Sequence, residues 1–205
     1  MSCGATSTST TSRCGDVSST ATPDGPTMTT SYVAMLRGIN VGGKTKVPMA
    51  DLRAALADMG LDDVSTYIQS GNVIFRSSIS PSTLPPAIEH AIDGAFGLAV
   101  KVVVRTSAEL AGVVKHNPLV GGGRDLTKLH VTFLASQPAA ARMAHIEAEA
   151  FLPDEIRVLG REVYLHCPAG YGRTKLNNAF LERTLGTVGT TRNWNTVTTL
   201  ARMSS

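Results

Sequence analysis

Residues 64–76, VSTYIQSGNVIFR, decide the fold. Two runs rich in β-branched and aromatic residues flank Gly71-Asn72, a turn dipeptide of hairpin type, so two consecutive strands lie side by side and antiparallel. Upstream, PMADLRAALADMG at 48–60 places Met49, Leu52, Leu56 and Met59 on one helical face, with Pro48 in the first turn and Gly60 as the stop. Before that helix, YVAMLR at 32–37 is a short apolar strand. Downstream, AIEHAIDGAFG at 87–97 is a second helix and AVKVVVR at 99–105 a fourth strand. The order is βαββαβ.

The second half repeats it. LHVTFLA at 129–135 is a strand and PAAARMAHIEAEAF at 138–151 an Ala-rich helix opened by Pro138. EIRVL and EVYLHC are strands joined by Gly160-Arg161, a tight hairpin spacing. TKLNNAFLERTLG at 174–186 is a helix with Thr174 as its N-cap and Gly186 as its stop. TVGTTR forms a weak last strand, and RNWNTVTTLARM a closing helix. Between the halves, Thr106 to Glu109 spells a capping box ahead of a short helix, followed by the loop HNPLVGGGR. The expected fold class is therefore α+β. It contains two ferredoxin-like (βαββαβ, alpha-beta plait) subdomains, at 28–105 and 129–205, joined by a linker helix and loop at 106–128. Each has an antiparallel four-stranded sheet with helices on one face.

Residues 1–27 stand apart. Thirteen of them are Ser or Thr, and the stretch has almost no large apolar side chain to offset the entropy of ordering it. It is expected to be a disordered tail, with the native chain beginning at Met28. It lacks the basic start and apolar stretch of a secretory signal. Of the 205 residues, 42% are apolar and 17% charged, and no run of 18 uninterrupted apolar residues offers a membrane span. Cys3 and Cys14 lie in the tail, leaving Cys167 as the single thiol of the folded part. One thiol without a partner points to a reducing compartment, so the expected location is cytoplasmic. Cys167 follows His166 on a strand pattern, where neighbours face opposite ways and do not form a nucleophile and base.

Gly38 to Thr45, GINVGGKT, matches the phosphate-loop pattern and follows a strand. Val47-Pro48 delays the next helix by three residues, and no apolar strand ends in a magnesium-binding carboxylate, so the match does not mark a nucleotide hydrolase. The loop still sets Arg37, Lys44 and Lys46 among glycines whose N–H groups suit an anion. Tyr171 to Lys175 places Arg173 and Lys175 at a helix start, where the dipole opposes cations and a bound anion would explain them. Thr190 to Thr196 adds Arg192 and Asn195 around Trp194, which is read as a packing anchor. Gln69 has no part in the backbone of the Gly71-Asn72 turn and is available to a ligand. His90, His116, His130 and His145 show no metal-ligand spacing, no cofactor is implied, and no catalytic triad stands out.

Four stretches, RGINVGGKTKVPMADLRAAL, YIQSGNVIF, GYGRTKLNNAFLER and TTRNWNTV, closely resemble the bacterial domain-of-unknown-function family 1697 over about residues 32–203. The resemblance implies two ferredoxin-like subdomains and transfers no catalytic residue. The leading expectation is a protein that binds a phosphate-bearing ligand, whether nucleotide, phosphometabolite or nucleic acid. Its surface would be built from Arg37, Asn40, Gly42, Gly43, Lys44, Lys46, Gln69, Asn72, Tyr171, Arg173, Lys175, Arg192 and Asn195. The alternatives are an enzyme acting on a small phosphorylated substrate in the same cleft, and a protein-interaction module. From Met28 onward 18 basic residues face 14 acidic ones, a surplus of only +4, and aromatics are too few for an obvious base-stacking platform.

Overall fold

The computed structural model describes residues 1, 4, 29–40 and 46–205. The rest of the tail, Met28 and the loop residues 41–45, among them Gly42, Gly43 and Lys44, lie outside the described residues. The first half runs β1 (Thr30–Leu36), α1 (Met49–Asp58), β2 (Asp62–Tyr67), β3 (Asn72–Ser77), α2 (Leu84–Phe96) and β4 (Val102–Thr106). α3 (Ser107–Lys115) follows. The second half runs β5 (Leu129–Leu134), α4 (Ala140–Met143), β6 (Glu155–Leu159), β7 (Glu162–His166), α5 (Asn178–Leu185) and β8 (Gly189–Asn193), closed by α6 (Trp194–Met203).

The strand orders β2-β3-β1-β4 and β6-β7-β5-β8 are the same permutation, and every pairing is antiparallel. This is the ferredoxin-like arrangement twice over. The repeat extends to single bonds. Leu36 N donates to Gly71 O at 2.8 Å and Leu134 N to Arg161 O at 2.9 Å. Glu89 Oε1 accepts from Val102 N at 3.0 Å, and Glu182 Oε1 from Gly189 N at 2.9 Å. In each half a helix carboxylate thus satisfies the first outward N–H of an edge strand, which would otherwise be open to further pairing.

Both faces of both sheets are covered, not one. Tyr32, Ala34, Leu36, Phe75 and Val104 pack under α1 and α2. The alternate set, Val33, Met35, Ile74 and Val103, meets α3, α6 and the inner face of the second sheet, where Val131, Phe133 and Trp194 lie. The outer face of that sheet packs Val163 and Leu165 against Leu181 and Leu185 of α5. A strand buried on both faces reads as a continuous apolar run, as YVAML does. Trp194 is 6% exposed in the shared core, as expected of a packing anchor.

Two helices differ from the sequence reading. The helix expected over 138–151 shrinks to α4 and a separate 3-10 turn at Ala148–Phe151. Ala139 offers no capping side chain, and the core-facing residues Met143, Ile146, Ala148 and Phe151 would spread over about 200° of a helix at 100° per residue. The α5 helix starts late. Its cap is Asn177, whose Oδ1 accepts from Phe180 N at 3.0 Å, while Thr174 Oγ1 accepts from Leu176 N in a local turn. The capping box of α3 forms as read: Thr106 Oγ1 accepts from Glu109 N at 3.1 Å, and Glu109 Oε2 accepts from Thr106 N at 2.8 Å.

Candidate functional site

The 69–72 turn gathers five of the expected residues, Asn40, Lys46, Gln69, Asn72 and Arg192. Gly71 has φ +73, and a Cβ there would lie 2.8 Å from the side chains of Ile39 and Leu36, so only glycine lets the turn close on β1. On one side of the turn, Asn40 sits at φ +55 and staples the loop. Its Nδ2 donates to Gln69 O at 2.8 Å and Val47 O at 3.0 Å, and its Oδ1 accepts from Val47 N at 2.9 Å. Asn40, Lys46, Val47, Pro48, Met49 and Gln69 line a 370 Å³ cavity. The start of α1 opens here. Pro48, its N-cap, has no side-chain acceptor for the first helical N–H groups. Lys46 and Gln69 are exposed, and among the described residues neither side chain forms a hydrogen bond or ion pair.

Arg192 lies on the other side of the turn. It is 8% exposed and makes bonds only to neutral acceptors. Nε donates to Asn72 Oδ1 at 2.5 Å, Nη2 to Leu36 O at 2.8 Å and Ser70 O at 3.2 Å, and Nη1 to Thr190 Oγ1 at 2.8 Å and Thr191 O at 2.9 Å. Burial with no carboxylate partner pushes its pKa down to about 10, which still leaves it cationic at neutral pH. Arg192 and Asn72 therefore tie the second half to the first and have no donor left for a ligand.

The same device recurs at Arg105, which the sequence reading missed. Its Nη2 donates to Leu134 O at 2.7 Å and Arg161 O at 3.2 Å, and its Nε to Glu162 Oε1 at 2.9 Å. Register makes the two arginines equivalent, Arg105 lying opposite Val33 and Arg192 opposite Val131. Burial lowers the pKa of Arg105 while Glu162 opposes the shift. The signal was present in the sequence: VVVRT-SAEL and GTTRN-WNTV each read strand, arginine, cap, helix.

The remaining expected residues scatter. Arg37 pairs with Glu182 at 2.8 Å, linking the end of β1 to α5. Tyr171 stacks on His130 with ring centroids 4.9 Å apart and donates to Thr191 Oγ1 at 3.0 Å, which in turn donates to Asn178 Oδ1 at 2.6 Å. Arg173 and Lys175 are exposed and precede the true cap of α5, so the dipole argument for an anion there does not hold. Asn195 is exposed on α6, outside the cavity. Among the described residues no three His, Cys, Asp or Glu side chains are placed to hold a metal ion.

Cys167 is fully buried, and burial raises its thiol pKa to about 11. A thiol is the inert form. Iodoacetamide at pH 8 should leave Cys167 unmodified in the folded chain and label it within minutes in urea; rapid labelling without denaturant would contradict this environment. The sign of the pH effect follows from the same shift. The folded state holds this proton more tightly, so the contribution to stability is lost as pH rises toward about 11.

No helix among the described residues is long and apolar enough to cross a membrane. No curated protein matches the sequence. Among solved structures, the chain resembles conserved bacterial protein SP0830 from Streptococcus pneumoniae. The TM-score is 0.69 at 24% identity, covering 87% of this chain and 100% of that one. That likeness is one of fold. The family described as "Protein of unknown function (DUF1697)" matches residues 28–164, more than half of the sequence, and this chain belongs to it.

Proposed function

We propose that this chain is a cytoplasmic binding protein for a small phosphate-bearing ligand, a nucleotide or phosphorylated metabolite, seated in the 370 Å³ cavity at the start of α1. One observation carries the reading: the side-chain-uncapped first turn of a ten-residue helix opens on that cavity beside Lys46, whose side chain has no partner among the described residues. Helix N–H groups and a nearby cation together favour an anion. Asn40 and Gln69 supply polar edges. Gly42, Gly43 and Lys44 belong to the same loop by sequence. Asn72 and Arg192 hold the turn behind Gln69, and Arg37 flanks the loop, while Tyr171, Arg173, Lys175 and Asn195 stand outside this pocket. Its size and the modest +4 surplus favour a small ligand over nucleic acid.

Calorimetric titration with inorganic phosphate, adenosine diphosphate and a short single-stranded oligonucleotide tests it. Adenosine diphosphate should bind with a shallow salt dependence, and Lys46→Ala should weaken it about tenfold, the loss of one charge-assisted hydrogen bond. No binding of either phosphate compound, or equal affinity in the variant, would overturn the reading; a steep salt slope confined to the oligonucleotide would replace the small ligand with a polyanion.

A further inference from the structure

A cavity of 390 Å³ is lined by α3 and the β6–β7 hairpin and shares no residue with the loop pocket. Tyr164 of β7 gives it a polar anchor. Its ring packs in the shared core, and the residue is 3% exposed. A buried tyrosine ordinarily gives its hydroxyl a partner, and phenylalanine would fill a core as well. Among the described residues the Tyr164 hydroxyl has no hydrogen-bond partner. The enclosed side-chain atoms in that position are Arg37 Nε and Asn117 Nδ2, so the Tyr164 hydroxyl is not enclosed and opens on the cavity. Burial and the nearby Glu162 carboxylate push its pKa up to about 12, which leaves a neutral donor at pH 7.

The helix wall includes Gly112, in the interior of α3. Glycine weakens a helix interior relative to alanine. Neither usual reason for one applies, since Gly112 has no positive φ and a Cβ there would meet nothing beyond its own helix within 4 Å. What the missing side chain does is keep the cavity open. Val113 and the 48% exposed Leu159 give the space apolar sides.

The charges of Glu109, Arg161 and Glu162 in the wall are already matched. Glu109 pairs with Arg161, and Glu162 Oε1 accepts from Arg105 Nε at 2.9 Å. Glu162 Oε2 has no partner among the described residues and remains an acceptor. Glu162 and Tyr164 stand on the same face of β7, about 7 Å apart along the strand. We propose that this cavity binds a small neutral cyclic amide, in the class of pyrimidine bases. Its carbonyl accepts from the Tyr164 hydroxyl, a ring N–H donates to Glu162 Oε2, and the ring covers Val113 and Leu159. One ring with carbonyl and N–H groups around its rim spans the two side chains, and the volume, at the low end of ligand pockets, favours a single ring.

Amide NMR titration of the full chain with uracil tests this, with 1,3-dimethyluracil as a control that keeps the ring and carbonyls and has no N–H. The expected result is a saturable shift of the Gly112 amide, at least fivefold weaker in affinity with the control. Tyr164→Phe should weaken uracil binding about tenfold at unchanged melting temperature, because the hydroxyl has no bond within the fold to lose. Gly112→Leu, which fills the cavity from the helix side, should abolish binding without lowering the melting temperature. No saturable Gly112 shift, equal affinity for the control, or unchanged binding in either variant would overturn the proposal. A melting temperature lowered by Tyr164→Phe would show that the hydroxyl serves the fold and would overturn it as well.

Discussion

Replacing Arg192 with methionine is expected to destabilise the chain by about 3 to 5 kcal/mol, because it strands several buried acceptors at once. The guanidinium holds Leu36 O, Ser70 O, Asn72 Oδ1 and Thr190 Oγ1 in four directions, and it is the polar tie between β8 and the end of β1. Lysine should not rescue it. A single ammonium on a flexible stem cannot span acceptors that a planar fork reaches together, so Arg192→Lys should still lose more than about 2 kcal/mol. Urea denaturation at pH 7 reads both values. A loss below about 1 kcal/mol for the methionine variant would show that this clamp adds little to the apolar core and the other polar ties between the halves.

Gly71→Ala should cost about 2 to 5 kcal/mol. Part of this is the left-handed backbone, about 1 to 2 kcal/mol for a residue with a Cβ at φ +73. The rest is overpacking, since that Cβ would sit 2.8 Å from Ile39 and Leu36, both fully enclosed in the core. Gly160 in the second half is the internal control. It also has positive φ, +60, but its nearest neighbour is Glu162 Oε2 at 3.8 Å. Gly160→Ala should therefore carry the backbone cost only. Equal losses for the two variants in thermal denaturation would remove the close approach of the turn to β1 as an explanation.

The contrast between these turns shows how far local sequence reaches. QSGN was legible as a hairpin turn because glycine and asparagine tolerate its dihedrals. That Gly71 must also admit Ile39 depends on a loop more than thirty residues earlier folding back over it. Thr174 shows the opposite failure. Hydroxyl residues can cap a helix or make a local turn, and the nearby Asn177 takes the cap instead. The Ala-rich stretch after β5 had the composition of a helix but lacked a single apolar stripe for the sheet to bury.

For the candidate site, residue type identified the segments and packing sorted their duties. Asn40, Lys46 and Gln69 meet at one cavity because Asn40 bonds across to the 69–72 backbone. Arg192 looked like a ligand-binding cation from its Thr- and Asn-rich surroundings, yet these are the neutral acceptors that consume its donors. Its counterpart Arg105 sat unnoticed among valines, although both follow the same strand, arginine, cap pattern.

The sequence by itself determined the order of elements, the doubling of that order and most caps and turns, because periodicity and dihedral preference act within a few residues. The tertiary structure alone decided which cations are spent as clamps and which helix start opens on a cavity. Those outcomes depend on atoms brought together from residues far apart in the chain, such as Leu36 and Arg192, 156 positions apart, and hydrogen-bond reach is a property of the folded distance.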